Sequence, residues 1–560
     1  MLRSDPKGAC RKHGYDTSGR ILRTLSVFSA ASLATTLAIA QANNMSAPLA
    51  PLIAPPTPMP VIAPALPVSV EDQQARRTGG WNVVPSVNLT ETYSDNVAYV
   101  PSASAQGGWI TGVTPGIRIE GAGARVKGFF DYRLHGLAYS NQSQLNHSQN
   151  ALNSFMTIEA MENWFFVDAL ANISQQNRSA FGASVTDGAA GTSSNRTETT
   201  VLQVSPYIRG KISDTAVYQL RFNGSSSRTS NGAVVATETG EWVGRIKNAP
   251  SSSRLGWALD GTSLAVHSDT VGKKEDSRIY GSLIYDIVPE LHASVIYGYE
   301  SSDFANSTRQ SSTTPGFGLE WSPSERTQAA IVKEKRVFGD GRSLVLSHRT
   351  PLTAWRYSDQ KDIGVFPNQI AGGQQSSAFG LMSDLLASSI PDPLAREQAV
   401  RTRMEQIGVH AGSNLLSGGF VTSQIFVSRI REGSALLLGS TNTVTLTLGQ
   451  SDRQSIGLGT DTAVDSASSS TNIRQRHLSA AWSHRLSPLS TITLVASQLH
   501  TEDLAATSIN SKQSLESLLF STQIGPRTTA SVGARRAQFD STVGGGYREN
   551  ALAGTLSLRF

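Results

Sequence analysis

From Trp81 to Phe560 one pattern recurs: a short segment of alternating apolar and polar residues, a connection, then another such segment. Alternation with a period of two marks a β-strand whose two faces meet different surroundings. Arg125 to Tyr139 sets Val126, Gly128, Phe130, Tyr132, Leu134 and Ala138 against Lys127, Asp131, Arg133 and His135. Asp214 to Asn223 sets Ala216, Tyr218, Leu220 and Phe222 against Gln219, Arg221 and Asn223. Thr441 to Gly449 alternates Thr443, Thr445 and Thr447 with Val444, Leu446 and Leu448. About 22 such strands can be placed, in a range of roughly 16 to 22 once boundary slips are allowed. They include 326–337, 342–349, 419–430 and 433–450.

In water such strands suit a sheet with one wet face. The connections decide differently, because they alternate between longer and short. Short ones fall at Ala122-Gly123, Glu162-Asn163, around Pro289, at Pro323-Ser324 and at Pro488. Longer ones, rich in Ser, Gly, Asn and Thr, span 176–195, 360–418 and 451–472. A transmembrane barrel has this asymmetry: short turns at one rim, long loops at the other. An even strand count puts both chain ends at the short-turn rim. The 338–341 connection is as short as a turn although it falls on the long-loop side. No run of 18 apolar residues follows Trp81, so no membrane-spanning helix is expected. The fold predicted is all-β: one large transmembrane antiparallel β-barrel over 81–560, with a helical insertion in one long loop.

Composition agrees. Charged residues make up only 16%, and 49 Gly and 23 Pro supply turns. Aromatic residues at strand ends, among them Trp81, Trp109, Trp164, Trp321, Trp355, Tyr132, Tyr297 and Tyr299, suit interfacial girdles. The last segment places Leu552, Gly554, Leu556, Leu558 and Phe560 on one face. It is read as the strand that closes the barrel, with Leu556, Leu558 and Phe560 as a signal to barrel-assembly machinery.

The N-terminal part reads as an address followed by a leash. Arg3, Lys7, Arg11, Lys12, Arg20 and Arg23 precede an uncharged stretch from Leu25 to Ala40, and small-x-small patterns end near Ala42. Residues 1–42 are therefore expected to be a signal peptide. Residues 43–80 are Pro-rich, with Pro48, Pro51, Pro55, Pro56, Pro58, Pro60, Pro64 and Pro67, and suit an extended periplasmic leash. A leash of this length and composition leaves no room there for a folded plug domain. The single cysteine, Cys10, would leave with the signal peptide, which removes thiol chemistry from the mature chain.

Within 360–418, Phe379, Met382, Leu385 and Leu386 recur at helical spacing, with Ile390 beyond. Pro391-Asp392-Pro393 breaks that helix, and a second is expected with Leu394, Val400, Met404 and Ile407 along one face. Such a hairpin can enter the lumen as a constriction, lid the outer mouth, dock a partner, or pack on neighbouring loops. Leu385, Leu386, Arg396, Arg401 and Arg403 are its candidate gating residues. Arg118, Lys127, Asp131, Arg133, His135 and Arg221 are candidate lumen-lining residues, which would set selectivity or join strands through salt bridges.

No nucleophile elbow, zinc-protease, nucleotide-loop or dinucleotide motif occurs. No enzyme activity, cofactor or metal is expected, and no basic run points to nucleic acid.

Two stretches carry a resemblance. Trp81-Asn82-Val83-Val84-Pro85-Ser86-Val87-Asn88-Leu89-Thr90-Glu91-Thr92-Tyr93-Ser94-Asp95-Asn96-Val97 resembles the opening strand and loop of the PEP-CTERM-system-associated outer-membrane β-barrel proteins. Trp321-Ser322-Pro323-Ser324-Glu325-Arg326-Thr327, then Phe338-Gly339-Asp340 and His348-Arg349, resemble that family's central block, with Val337-Phe338 where two aromatics are frequent. The resemblance implies a Gram-negative outer-membrane protein beside exopolysaccharide and exosortase-type sorting genes, and it assigns no catalytic residues. The functional expectation is a passive pore or accessory protein for exopolysaccharide export or surface handling. Its partners would be outer-membrane lipids and the polymer or its export proteins. The alternatives are a non-conducting scaffold or docking barrel and, more remotely, a hydrolase embedded in the wall.

Overall fold

The computed structural model describes residues 80–183, 195–230, 236–249, 253–268, 272–304, 308–365, 377–386, 390, 396, 399–400, 419–422, 424–456, 472–505, 509–542 and 545–560. The expected signal peptide and leash lie outside them. The strands form one antiparallel sheet in which each pairs with its neighbours in sequence, from Trp81–Ser94 to Tyr547–Arg559. Gln310–Thr313 and Gly316–Ser324 both pair with Leu291–Ser302, so they are one interrupted stave. The first strand pairs with the second and also with the last, which closes a barrel of 22 staves.

Closure is dictated by backbone chemistry. A strand in lipid has no water to satisfy its N–H and C=O groups, so only a sheet without edges can span. The closing seam has nine residue pairs, Ser86↔Arg559 to Ser94↔Ala551. Phe560 extends it by donating its N–H to the Pro85 carbonyl at 3.0 Å. At the other end of the seam, Asp95 receives the backbone N–H and the side-chain amide of Asn550 at 2.8 and 2.7 Å. Asn96, buried, donates to the carbonyls of Val100 and Arg548. Asp95-Asn96 thus latches the first loop to the last strand as well as turning the chain.

The wall is the inverse of a soluble protein. Its outer face carries Leu283, Val295, Tyr297, Phe317 and Leu448, all more than half exposed. Its inner face buries Asn153, Thr199, Ser205 and Glu300 almost completely. Apolar groups outside and polar groups inside are what a bilayer around a hydrated lumen selects. Trp81, Trp164, Trp321 and Trp355 sit outward near the short-turn rim, and the Tyr93–Trp109 pair, 5.3 Å between ring centroids, sits near the other. Leu552 also faces outward, so the face carrying Leu556 and Leu558 is the lipid face.

Short-rim connections run two or three residues, six at 249–254. Opposite-rim connections reach 61 residues at 365–425, and two there are short, at 269–271 and 337–338. The 337–338 hairpin closes between Arg336 and Gly339, and Gly339 takes φ +102°, which a side chain resists. One hairpin differs from the sequence expectation of 419–430 and 433–450. The strands are Phe426–Leu438 and Asn442–Ser455. The expected turn at Arg431-Glu432 lies mid-wall, where these residues stand opposite Gln450 and Gly449. The chain reverses instead at Gly439, whose N–H donates to the Asn442 carbonyl at 2.7 Å.

Asn96→Ala strands the Val100 and Arg548 carbonyls at the seam, a loss of about 1–3 kcal/mol. The barrel should lose its compact migration on unheated SDS gels at a lower temperature than wild type, and an unchanged transition would remove the latch.

Candidate functional site

Parity fixes which side chains enter the lumen. In Val126–Tyr139 the odd positions face in, so Lys127, Asp131, Arg133 and His135 share the inner face with Phe129. Arg118 and Arg221 also face in. The lining is largely paired. Arg118 donates to Glu120 at 2.7 Å and lies 3.9 Å from Asp131, which accepts from Arg133 at 3.0 Å. His135 shares a hydrogen bond with Thr114. Arg221 reaches Asp168 at 2.8 Å across two staves and lies over the Tyr207 ring. Lys127 is exposed near the short-turn rim. Further inward groups follow suit: Arg245 with Asp260, Arg278 with Glu334, and Arg336 with Glu300. From Asn442–Ser455 onward the inner wall is dominated by hydroxyls and amides, among them Thr445, Thr447, Gln475, Ser479, Thr493 and Ser497. Matched charges and hydroxyls make a lining that hydrogen-bonds without strong net charge.

The long loop sends its helix, Ser377–Leu386, into this lumen. Leu381 and Met382 are fully buried, each worth about 1.5–3 kcal/mol of apolar burial. They cluster with Ala354 and Leu436 from the fifteenth and sixteenth staves, with Phe129 from the third, and with Val400. Phe155, on the fourth stave, packs against the same cluster, as do Leu385 and Leu386. The helix therefore bridges nearly opposite walls. It lies deep: Ala354 is the second residue of its strand from the short-turn rim, and Phe129 the fourth. Arg349 pins it, donating to the Asp384 carbonyl at 2.7 Å and to the Glu325 carbonyl at 2.8 Å. Arg356 reaches the Asp384 carboxylate at 3.3 Å. Enclosure by the wall raises the Asp384 carboxyl above its ordinary value, although the side chain keeps 40% of its accessible surface, while Arg356, Arg349 and Arg396 pull it back.

The outer mouth is crossed as well. Val421 donates to the Asn177 carbonyl at 2.8 Å, and Asn177 donates to Gly419 at 3.1 Å. Asn177 ends the fifth stave and Phe426 begins the sixteenth, eleven apart in either direction around 22. Ala180 and Phe181 pack there on Phe420, Phe426 and Ile473, and Phe304 packs on Val266, Val365 and Ile425.

Of the expected gating residues, Leu385 and Leu386 lie on the lumenal helix, and Arg396 donates to the Ile390 carbonyl at 3.2 Å. Arg401 and Arg403, with most of the second helix, lie outside the described residues. The sequence reading missed Leu381, Arg356 and Phe129, and took Arg349 only as part of the His348-Arg349 motif. Phe129 carried a legible signal: a large apolar ring on the polar face of its strand, where a lumen wall has no use for one unless something covers it.

No family model and no curated protein matches the sequence. Among solved structures, the chain is similar to the siderophore receptor PirA of Pseudomonas aeruginosa, at 9% identity and TM-score 0.42, over 86% of this chain and 80% of that one. It is also similar to the FrpB iron transporter (F5-1 variant) of Neisseria meningitidis, at 9% identity and TM-score 0.46, over 88% and 84%. The outer membrane protein OpdK of Pseudomonas aeruginosa matches at 9% identity and TM-score 0.33, over 86% and 99%. Likeness at this level carries no argument about cargo.

Leu381→Asp puts a charge into the cluster that holds the helix, at a cost of about 4 kcal/mol or more. Protease added from outside should then cut within 377–400 while the wall stays intact. Protection equal to wild type would mean that the cluster does not hold the helix.

Proposed function

We propose that this chain is an outer-membrane channel, closed at rest by the helix Ser377–Leu386 and by residues 419–422 at the outer mouth, that passes or handles a polar, polyhydroxylated polymer of the exopolysaccharide type. The observation that carries the reading is the helix Ser377–Leu386 held across the lumen by Leu381, Met382 and Arg349. A ring of 22 staves is too wide for its wall side chains to fill, and here it is crossed by loop segments at two levels rather than filled along its length. A lumen wide enough to conduct must be closed by a movable part. The lining supports the cargo class. Hydroxyls, amides and neutralised ion pairs replace water contacts of a sugar without trapping a small ion. The outward Leu556, Leu558 and Phe560 on the closing strand suit recognition by assembly machinery in the outer membrane.

The occluded outer mouth favours one rival, a non-conducting scaffold that displays its loops to surface proteins or polysaccharide. Single-channel recording in planar bilayers separates the two, with wild type beside Leu381→Asp and a variant lacking residues 376–410. The channel reading expects a silent or low-conducting wild type and large, stable openings in both variants. Silence in all three, with each folded by heat-modifiability, would sink the channel and leave the scaffold.

A further inference from the structure

The outward face is not apolar throughout. Toward the outer rim, ladder register sets charges side by side. Lys333 stands opposite Arg342, Arg342 opposite Lys361, and Lys361 opposite Arg429. The same row continues to Asp452, Arg474 and Glu502. One row nearer the belt, Asp359 stands opposite Arg431, and Gln450 separates Arg431 from Arg476. These residues share parity with exposed Phe317, Tyr357, Leu448 and Leu478, so they project away from the lumen. From Lys333 to Arg474 each member of the upper row is the third or fourth residue from the outer end of its strand. Five strand spacings make this part of the row about 24 Å wide.

The carboxylates are fully engaged. Asp359 takes Arg429 at 2.7 Å and Arg342 at 3.4 Å. Asp452 takes Arg431 at 2.8 Å and Arg474 at 2.5 Å, and Glu502 takes Arg476 at 3.1 Å. Among the described residues no carboxylate pairs with Lys333 or Lys361. Like charges in direct register are mutually destabilising; Asp359 offsets part of this for Arg342 and Arg429, Lys333 and Lys361 have no such offset among the described residues, and the lipid boundary beneath them weakens screening. The arrangement becomes favourable once multivalent anions lie along it, and guanidinium groups bind phosphate through paired hydrogen bonds. Below the row, small Gly433, Ala435, Ala480 and Ala496 lie among Leu446, Leu448 and Leu494, a shallow apolar relief suited to acyl chains.

We infer that this face binds a phosphorylated glycolipid of the outer leaflet, phosphates along Lys333, Arg342, Lys361 and Arg429 and acyl chains on the apolar rows beneath. The inference rests on the placement in the outer membrane and not on conduction.

The test uses folded full-length barrel in neutral detergent, titrated with diphosphoryl lipid A or its dephosphorylated form, with bound lipid counted by native mass spectrometry. Wild type should prefer the diphosphoryl lipid at least tenfold, and 0.5 M NaCl should reduce that preference (about 4 Å Debye length). The variant K333Q/R342Q/K361Q, which keeps the Arg429–Asp359 pair, should lose the preference while still migrating as a folded barrel. Equal binding of the two lipids by wild type, or a preference retained in the variant, would overturn the inference. So would displacement of lipid A by dextran sulfate at equal charge, which would assign the face to a soluble polyanion. Failure of the wild type to fold into bilayers at all would remove the membrane reading, whereas lost selectivity in a folded barrel removes the lipid site alone.

Discussion

Everything in this molecule depends on the pairing of its first and last strands. Without the nine pairs from Ser86↔Arg559 to Ser94↔Ala551, two edges would present unsatisfied N–H and C=O groups to lipid, at several kcal/mol for each group. The seam is shorter than most ladders in the wall, and polar contacts reinforce it. Thr90 and Thr555 meet through their hydroxyls at 3.2 Å, Ser94 donates to Glu549 at 3.0 Å, and Arg535 holds Glu549 from the penultimate strand. These inward groups add directional bonds where the apolar outer face can add only non-directional burial.

Closure also creates the interior problem. A ring of 22 staves encloses more space than its own side chains fill. The chain answers at two levels, with loop segments across the outer mouth and a helix near the other rim. Both closures use apolar contact inside an otherwise polar cavity: Phe420 with Phe181 above, Leu381 with Phe129 below. The wall between them is lined by hydroxyls and paired charges, with Tyr207 and Tyr280 lying under Arg221 and Arg278.

Much of this was legible in the amino-acid order. Side-chain direction follows a strict period of two, so Lys127, Asp131, Arg133 and His135 could be assigned to one face before any pairing was known. Loop-length alternation fixed the rims, because each reversal swaps them. The hairpin after Phe426 was less legible. Arg431-Glu432, just before Gly433, resembles a turn, and only the place of these residues opposite Gln450 and Gly449 in the wall shows that it is not one. The destination of the long loop was not legible either. Helical spacing around Met382 and Leu385 announces a helix and an apolar face, but its contacts with Phe129 and Leu436 join positions more than 50 residues away, which no local pattern encodes. The outward cation row was equally hidden, since Lys333, Arg342, Lys361 and Arg429 lie on four different strands and become neighbours only through register.

The helix is part of the wall's own chain, joined at 364 and at 426 to two adjacent staves. A stopper tied at both ends cannot be lost. When displaced it remains at an effective concentration in the millimolar range beside its seat. In the proposed channel, opening and reclosing are therefore events within one chain.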